Sequence, residues 1–263
     1  MKQLYSKLYL DSNTQYRYNK ESVGIDKLSH FVSMKGSKYD DQSMRLFVVG
    51  RAVNGWLQLP CDDADTFGKA ADRAFHEVGF SWITSDETGL HNIPENGENT
   101  YYLSGSPFWR VAHRVWQSLS GFDCERWVDN IAWSNLYKIA PAKTGNPTVA
   151  MCKRQLTACQ EILKHELEFY KPTHILVITG WRGWFCDDVY NFSNLFSNCR
   201  YIGSNSEDRA IYVEGVAQFA LMDGTSVPAI ITCRPEFRNE DLFVEQSLQA
   251  FRDPTLFNPT RSF

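Results

Sequence analysis

Apolar positions along this chain fall into blocks whose period changes, and the blocks predict a succession of strands and helices. The run Arg45-Leu46-Phe47-Val48-Val49, closed by Gly50, is continuously apolar, as in a parallel strand covered on both faces. Phe67, Ala70, Ala71, Ala74, Phe75 and Val78 then recur at three-and-four spacing, predicting a helix that begins after Asp65 and stops at Gly79. A second helix carries complete punctuation: Ser106 to cap it, Pro107 in its first position and Gly121 to close it. Trp127 to Trp133 reads as another strand. Asn146 and Pro147 open a long helix whose stripe is Val149, Cys152, Leu156, Cys159, Leu163 and Leu167, and Lys171-Pro172 ends it. Apolar runs at Thr173 to Thr179 and Ala229 to Thr232 predict the remaining strands, with a less regular segment between them and a terminal helix over residues 240 to 252.

Strands alternating with long helices imply an α/β fold, a three-layer α/β/α sandwich around a mainly parallel central sheet. At 263 residues the chain suits a single domain. Residues 1 to 43 are polar, tyrosine-rich and aperiodic, and read as an irregular arm. Residues 84 to 105 are rich in Gly, Asn, Glu and Thr, and read as an insertion or flap.

Composition narrows the function. A formal charge of −4 excludes a broadly basic nucleic-acid coat but leaves room for a local positive groove. The seven cysteines are scattered, and none has the close spacing of a structural zinc site, which suits reduced thiols. Neither a leader nor a membrane-length apolar run is present, so the expectation is a cytoplasmic protein with no membrane partner. Asp187 and Asp188 are adjacent carboxylates, too little for a metal site. No metal and no cofactor are assigned.

In a sheet of this kind ligands bind beside the carboxyl ends of the strands. Right-handed crossovers bring those ends to one rim. The loops there contain the informative residues. Arg51 is a permanent cation able to hold phosphate with two donors, and the competing reading of its turn is a plain sharp strand exit. Asn54 has an amide oxygen that can orient water. Asn135 offers a donor and an acceptor, a pattern suited to an amide-like base edge, although capping its own loop is an equal alternative. Trp56, Trp133, Tyr137 and Trp181 are stacking candidates, although a Trp at any one of these positions is more often partly buried scaffold. Arg234-Pro235-Glu236-Phe237-Arg238 places two guanidinium groups just beyond a strand, with a salt bridge to Glu236 as the mundane competitor. Lys138, Trp181, Arg182 and Glu236 are secondary candidates.

These segments resemble motifs of the uracil-DNA glycosylase-like superfamily over roughly residues 44 to 239. Gly50 to Gly55 looks like a stretched form of its water-positioning loop, with Asn54 the match. Ser134-Asn135-Leu136 resembles its base-reading asparagine segment. Arg234-Pro235-Glu236-Phe237-Arg238 is similar to its His-Pro-Ser-Pro-Arg motif, with Arg234 in place of the histidine. The resemblance implies a DNA glycosylase that flips a uracil or damaged base out of DNA. In that scheme Asn54 and Arg234 are catalytic, and Asn135, Trp56 and Trp133 recognise the base. Arg51 and Arg238 grip phosphate. Two alternatives stay open: a non-catalytic nucleic-acid or nucleotide-binding protein, and an unrelated α/β enzyme acting on a small nucleotide-like compound.

Overall fold

The computed structural model describes residues 1–13, 16–18, 21–52, 59–80, 91–92, 101–124, 126–142, 145–187, 190–203 and 211–253. Its centre is a sheet of seven strands: β1 (Met34–Lys35), β2 (Leu46–Gly50), β3 (Ile131–Asn135), β4 (His174–Ile178), β5 (Ser197–Tyr201), β6 (Val213–Ala220) and β7 (Ser226–Thr232). Their order is β5-β6-β7-β4-β2-β3-β1. The four middle strands, β7, β4, β2 and β3, are parallel, whereas β1, β6 and β5 pair antiparallel at the two sides. The sheet is therefore mixed, with a parallel heart and antiparallel flanks.

Helices α1 (Lys2–Ser12), α2 (Ala64–His76) and α4 (Val149–Tyr170) cover one face, and α3 (Pro107–Ser120) and α5 (Glu240–Arg252) cover the other. Alternation along the strands explains this division. Phe47, Val49, Ile175, Val177 and Ile231 belong to the core under α1, α2 and α4, while Leu46, Val48, Leu176, Ile178 and Ile230 point to α3 and α5. Both sets are buried, so the middle strands read as unbroken apolar runs.

Several elements depart from the periodic reading. Residues 1 to 43 are not wholly irregular: α1 buries Tyr5, Leu8 and Tyr9, and the Tyr5 hydroxyl donates to the Phe31 carbonyl at 2.7 Å. Trp127–Asn130 is a 3₁₀ turn, and the strand begins at Ile131. Polar side chains bend the chain there, because Asn130 Nδ2 approaches the Arg126 and Trp127 carbonyls and Arg126 pairs with Asp129. Helix α4 is capped by Thr148 rather than Asn146, its hydroxyl accepting from the Met151 N–H. Strand β6 occupies the segment expected to be less regular; Glu214 and Gln218 interrupt its apolar pattern, and its register shifts between Val213 and Gly215. In the expected insertion, His91–Asn92 pairs with Tyr101–Tyr102, followed by a short turn at Leu103–Gly105. Residues 81–90 and 93–100 of that region lie outside the described residues. Among the described residues, no helix is long and apolar enough to cross a membrane.

One buried titratable group links this frame to the pH of the solution. His30 receives the Leu59 N–H on Nδ1 and donates from Nε2 to the Ile25 carbonyl, both at 3.0 Å, so the ring is neutral in the fold. Burial pushes its pKa down from 6.5 to about 4. The unfolded chain therefore binds the extra proton first as the medium is acidified. Stability from His30 is complete above pH 6.5 and is lost as pH falls towards 4, on the order of 3 kcal/mol in all. Urea melts at pH 7, 5.5 and 4.5 should show this decline, and His30→Gln should show a shallower one.

Candidate functional site

The loops leaving β2, β4 and β7 enclose a cleft of about 550 Å³ together with β5 and β6. Chain order explains its place. After β2 the chain adds β3 on one side, then crosses to add β4 on the other, so the β2–β4 boundary is where the winding direction reverses. Strand ends diverge at such a point and leave a crevice.

Arg51 follows β2 directly and is held from two directions. Its Nε donates to the Thr179 carbonyl at the end of β4 at 2.5 Å, and its guanidinium carbon lies 4.9 Å from the Trp184 ring centroid. Burial, reinforced by the charge of Arg234, lowers its pKa from 12.5 to about 10, which leaves it a cation at neutral pH.

The β4 exit supplies the floor. Gly180 has φ +90°, a conformation in which L side chains are strained. A Cβ there would sit 3.4 Å from Arg51 Nη2 and 3.7 Å from Glu214 Oε2. The following turn, Trp181 to Phe185, is kinked at Arg182 and Gly183 and closes with the Cys186 N–H on the Trp181 carbonyl. Glu214 on β6 anchors this turn by accepting the Trp181 N–H at 2.5 Å. The Trp181 ring drops onto Gly215, where a side chain would collide with it. Trp181 is thus wedged scaffold beneath the cleft, while the exposed Arg182 lies over Tyr201 on the wall.

The β7 exit supplies the opposite lip. Its loop is fastened at both ends: the Cys233 N–H meets the Tyr212 carbonyl, and Asn239 caps α5 with its side chain on the Leu242 N–H. Between them Arg234 pairs with Glu236, and Arg238 lies over Tyr212. Phe237 takes a left-handed φ of 61° and is fully exposed on the rim. Burial, with help from Glu214, pushes the Cys233 thiol up to about 12, so it stays protonated and is no nucleophile. Among the described lining residues, four arginines (Arg51, Arg182, Arg234, Arg238) face two carboxylates (Glu214, Glu236), an excess of two positive charges.

Asn135 ends β3, one strand away, in register with Gly50. It is 2% exposed and does not line the cleft. Its Oδ1 comes so close to Gly50 that a Cβ at that position would overlap it, so a glycine is required there for space. Its Nδ2 is buried with no hydrogen-bond partner among the described residues. Asn54 and Trp56 lie outside the described residues.

Two expected site residues are core. Trp133 is buried edge-on against Phe31 and Trp109, which leaves no ring face open for a base. Lys138 is fully buried and ion-paired with Glu166 at 2.9 Å, and its ammonium also donates to Ser134 Oγ and to the Asn135 carbonyl at 2.6 and 2.8 Å. It braces the turn that carries Asn135 and meets no solvent. Conversely, Gly180, Trp184, Tyr201, Glu214 and Phe237 shape the site without having been singled out. Only the repeated Trp in Trp181-Arg182-Gly183-Trp184, and an aromatic stranded between charged turn residues at Phe237, gave a readable signal.

The buried pair is open to direct measurement. Lys138→Met strands the Glu166 carboxylate and should cost about 3–5 kcal/mol in urea unfolding. Adding Glu166→Leu should recover most of that loss, because no buried charge then remains. Neither a protein-family model nor a curated protein matches this chain.

Proposed function

We propose that the cleft binds a nucleic-acid strand and that the protein is a DNA N-glycosylase of the uracil-DNA glycosylase-like kind, releasing uracil or another damaged base. The observation that carries this reading is the cleft itself. Four guanidinium groups and the Tyr201 ring line the cleft beside the carboxyl ends of parallel strands, with the exposed Phe237 ring on its rim and the Asn135 amide on the next strand. Guanidinium groups suit phosphate and aromatic faces suit bases, so the combination fits a nucleotide better than a purely anionic metabolite.

In this reading Arg238 and Arg51 hold the backbone, and exposed Phe237 offers an apolar ring to an unstacked base. Asn135, buried one strand away from the cleft, is assigned to reading the flipped base on the strength of the sequence motif, its Nδ2 having no partner among the described residues. Asn54 places the attacking water, an assignment that rests on the sequence motif. Arg234 stabilises negative charge on the departing base. A second reading has one observation in its favour: Arg234 is already paired with Glu236, which suits a protein that binds nucleic acid without cleaving it.

Incubation with duplexes containing uracil, hydroxymethyluracil or a mismatch, followed by alkaline cleavage at abasic sites, separates the two. The glycosylase reading expects base release, reduced roughly a hundredfold by Arg234→Ala. Asn135→Asp should remove base selectivity while the fold survives. Binding without release supports the second reading. Both readings expect salt-sensitive affinity: with three phosphates neutralised, binding weakens roughly fortyfold between 50 and 200 mM salt. An affinity indifferent to salt would exclude both.

A further inference from the structure

We propose that the cleft floor above Gly180, between Arg51 and Arg234, binds a doubly charged phosphate. Such a group is a phosphate monoester, as carried by the end of a strand or by a free mononucleotide, and it is preferred to the singly charged diester inside a strand. This inference rests on the cleft being a nucleotide site in its binding reading, because a phosphate between Arg51 and Arg234 occupies the groups that the glycosylase reading gives to the strand backbone and the departing base.

Three observations lead to it. Arg51 is an immobilised fork: its Nε is committed to the Thr179 carbonyl and one face to Trp184. Its two terminal amino groups remain, and it forms no ion pair among the described residues. Second, the space beside Nη2 exists because residue 180 has no side chain; a Cβ there would lie 3.4 Å away and fill it. Third, the carboxylates nearby are occupied. Glu214 accepts the Trp181 N–H and Glu236 is paired with Arg234, so among the described residues the excess of two positive charges stands. A dianion neutralises that excess and a diester only half of it. The planar fork suits two non-bridging oxygens side by side, which both esters present, so the preference for the monoester comes from its charge.

Methyl phosphate and dimethyl phosphate are near-equal in size and differ by one charge at pH 7.5, so they serve as probes. Titrating each into the full chain, with heat or tryptophan fluorescence as readout, should show methyl phosphate binding about tenfold or more tightly. That preference should fade as pH falls below about 6, where the monoester dianion takes up a proton and becomes a monoanion. Arg51→Gln should abolish the preference. Arg234→Gln, at a more exposed position, should reduce it and guards against a folding defect in the first variant. Gly180→Ala should weaken methyl phosphate binding with both arginines present.

Equal affinity for the two probes, no binding of methyl phosphate, or a preference that survives Arg51→Gln would overturn the proposal. Oligonucleotides with 5′-phosphate or 5′-hydroxyl ends and thymidine monophosphate complete the test. Tighter binding of the phosphorylated oligonucleotide assigns the site to strand ends, and tighter binding of the mononucleotide assigns it to a free ligand. If oligonucleotides bind alike whatever their ends and the small probes do not differ, this inference fails while the nucleic-acid reading stands. If methyl phosphate binds and no oligonucleotide does, the phosphate site survives and the nucleic-acid reading fails.

Discussion

The parallel pairing of Leu46–Gly50 with a strand on each side is the constraint on which the rest of this structure depends. Its neighbours are β3 and β4, joined in register from Leu46↔Ile131 to Gly50↔Asn135 and from His174↔Leu46 to Val177↔Val49. Once a strand is buried on both faces and hydrogen-bonded along both edges, its side chains contribute only packing. Polar chemistry is displaced to where the strand ends. The first residue beyond Gly50 is Arg51, and its donor reaches the Thr179 carbonyl of the adjoining strand end. The cleft begins with that contact.

Charge is distributed accordingly. Below the rim, the buried charged and imidazole groups Lys138 and His30 are tied into the core, Lys138 with Glu166 and Ser134, and His30 between Ile25 and Leu59. Above it, among the described residues, arginines outnumber carboxylates, and Arg51, Arg182 and Arg238 lie on aromatic faces. Such a face hydrates a guanidinium poorly and holds its plane still. The cleft therefore loses less side-chain freedom on binding an anion than a set of free lysines would. Phe237 in its left-handed turn is the counterpart: an apolar ring held in water by a loop that is fastened at both ends.

Helix punctuation and strand runs were legible without coordinates because they are local. Pro107 and Gly121 bound α3 as their chemistry requires, Gly121 taking the left-handed closing position, while Ser106 stands at the N-cap position without a side-chain hydrogen bond. Leu46 to Gly50 and Ala229 to Thr232 lie in strands because unbroken apolar runs of that length have few other uses. The arginine-bearing loops after them were legible for the same reason: they begin where the runs stop. Strand β6 was not, since Glu214 serves a distant backbone N–H and Gly215 makes room for a distant ring, and both break the local period. The 3₁₀ turn at Trp127–Asn130 escaped too, because its bending force comes from side chains bonding to their own backbone.

By itself, then, the sequence determined the four helices after the N-terminal arm, the parallel strands, their order and the residue types at the strand ends, since these follow from period, caps and charge within a few residues. Tertiary structure alone decided which of those residues share a space. Lys138 and Trp133 carry the same chemistry as a phosphate contact and a stacking platform would, yet packing placed both in the core. Arg51, Arg182, Arg234 and Arg238 are spread over nearly two hundred positions and meet because strand order, not spacing, sets which loops are neighbours. Side-chain type is local information, whereas proximity depends on how distant strands pair. That pairing is selected by burial of the whole sheet rather than by any one segment.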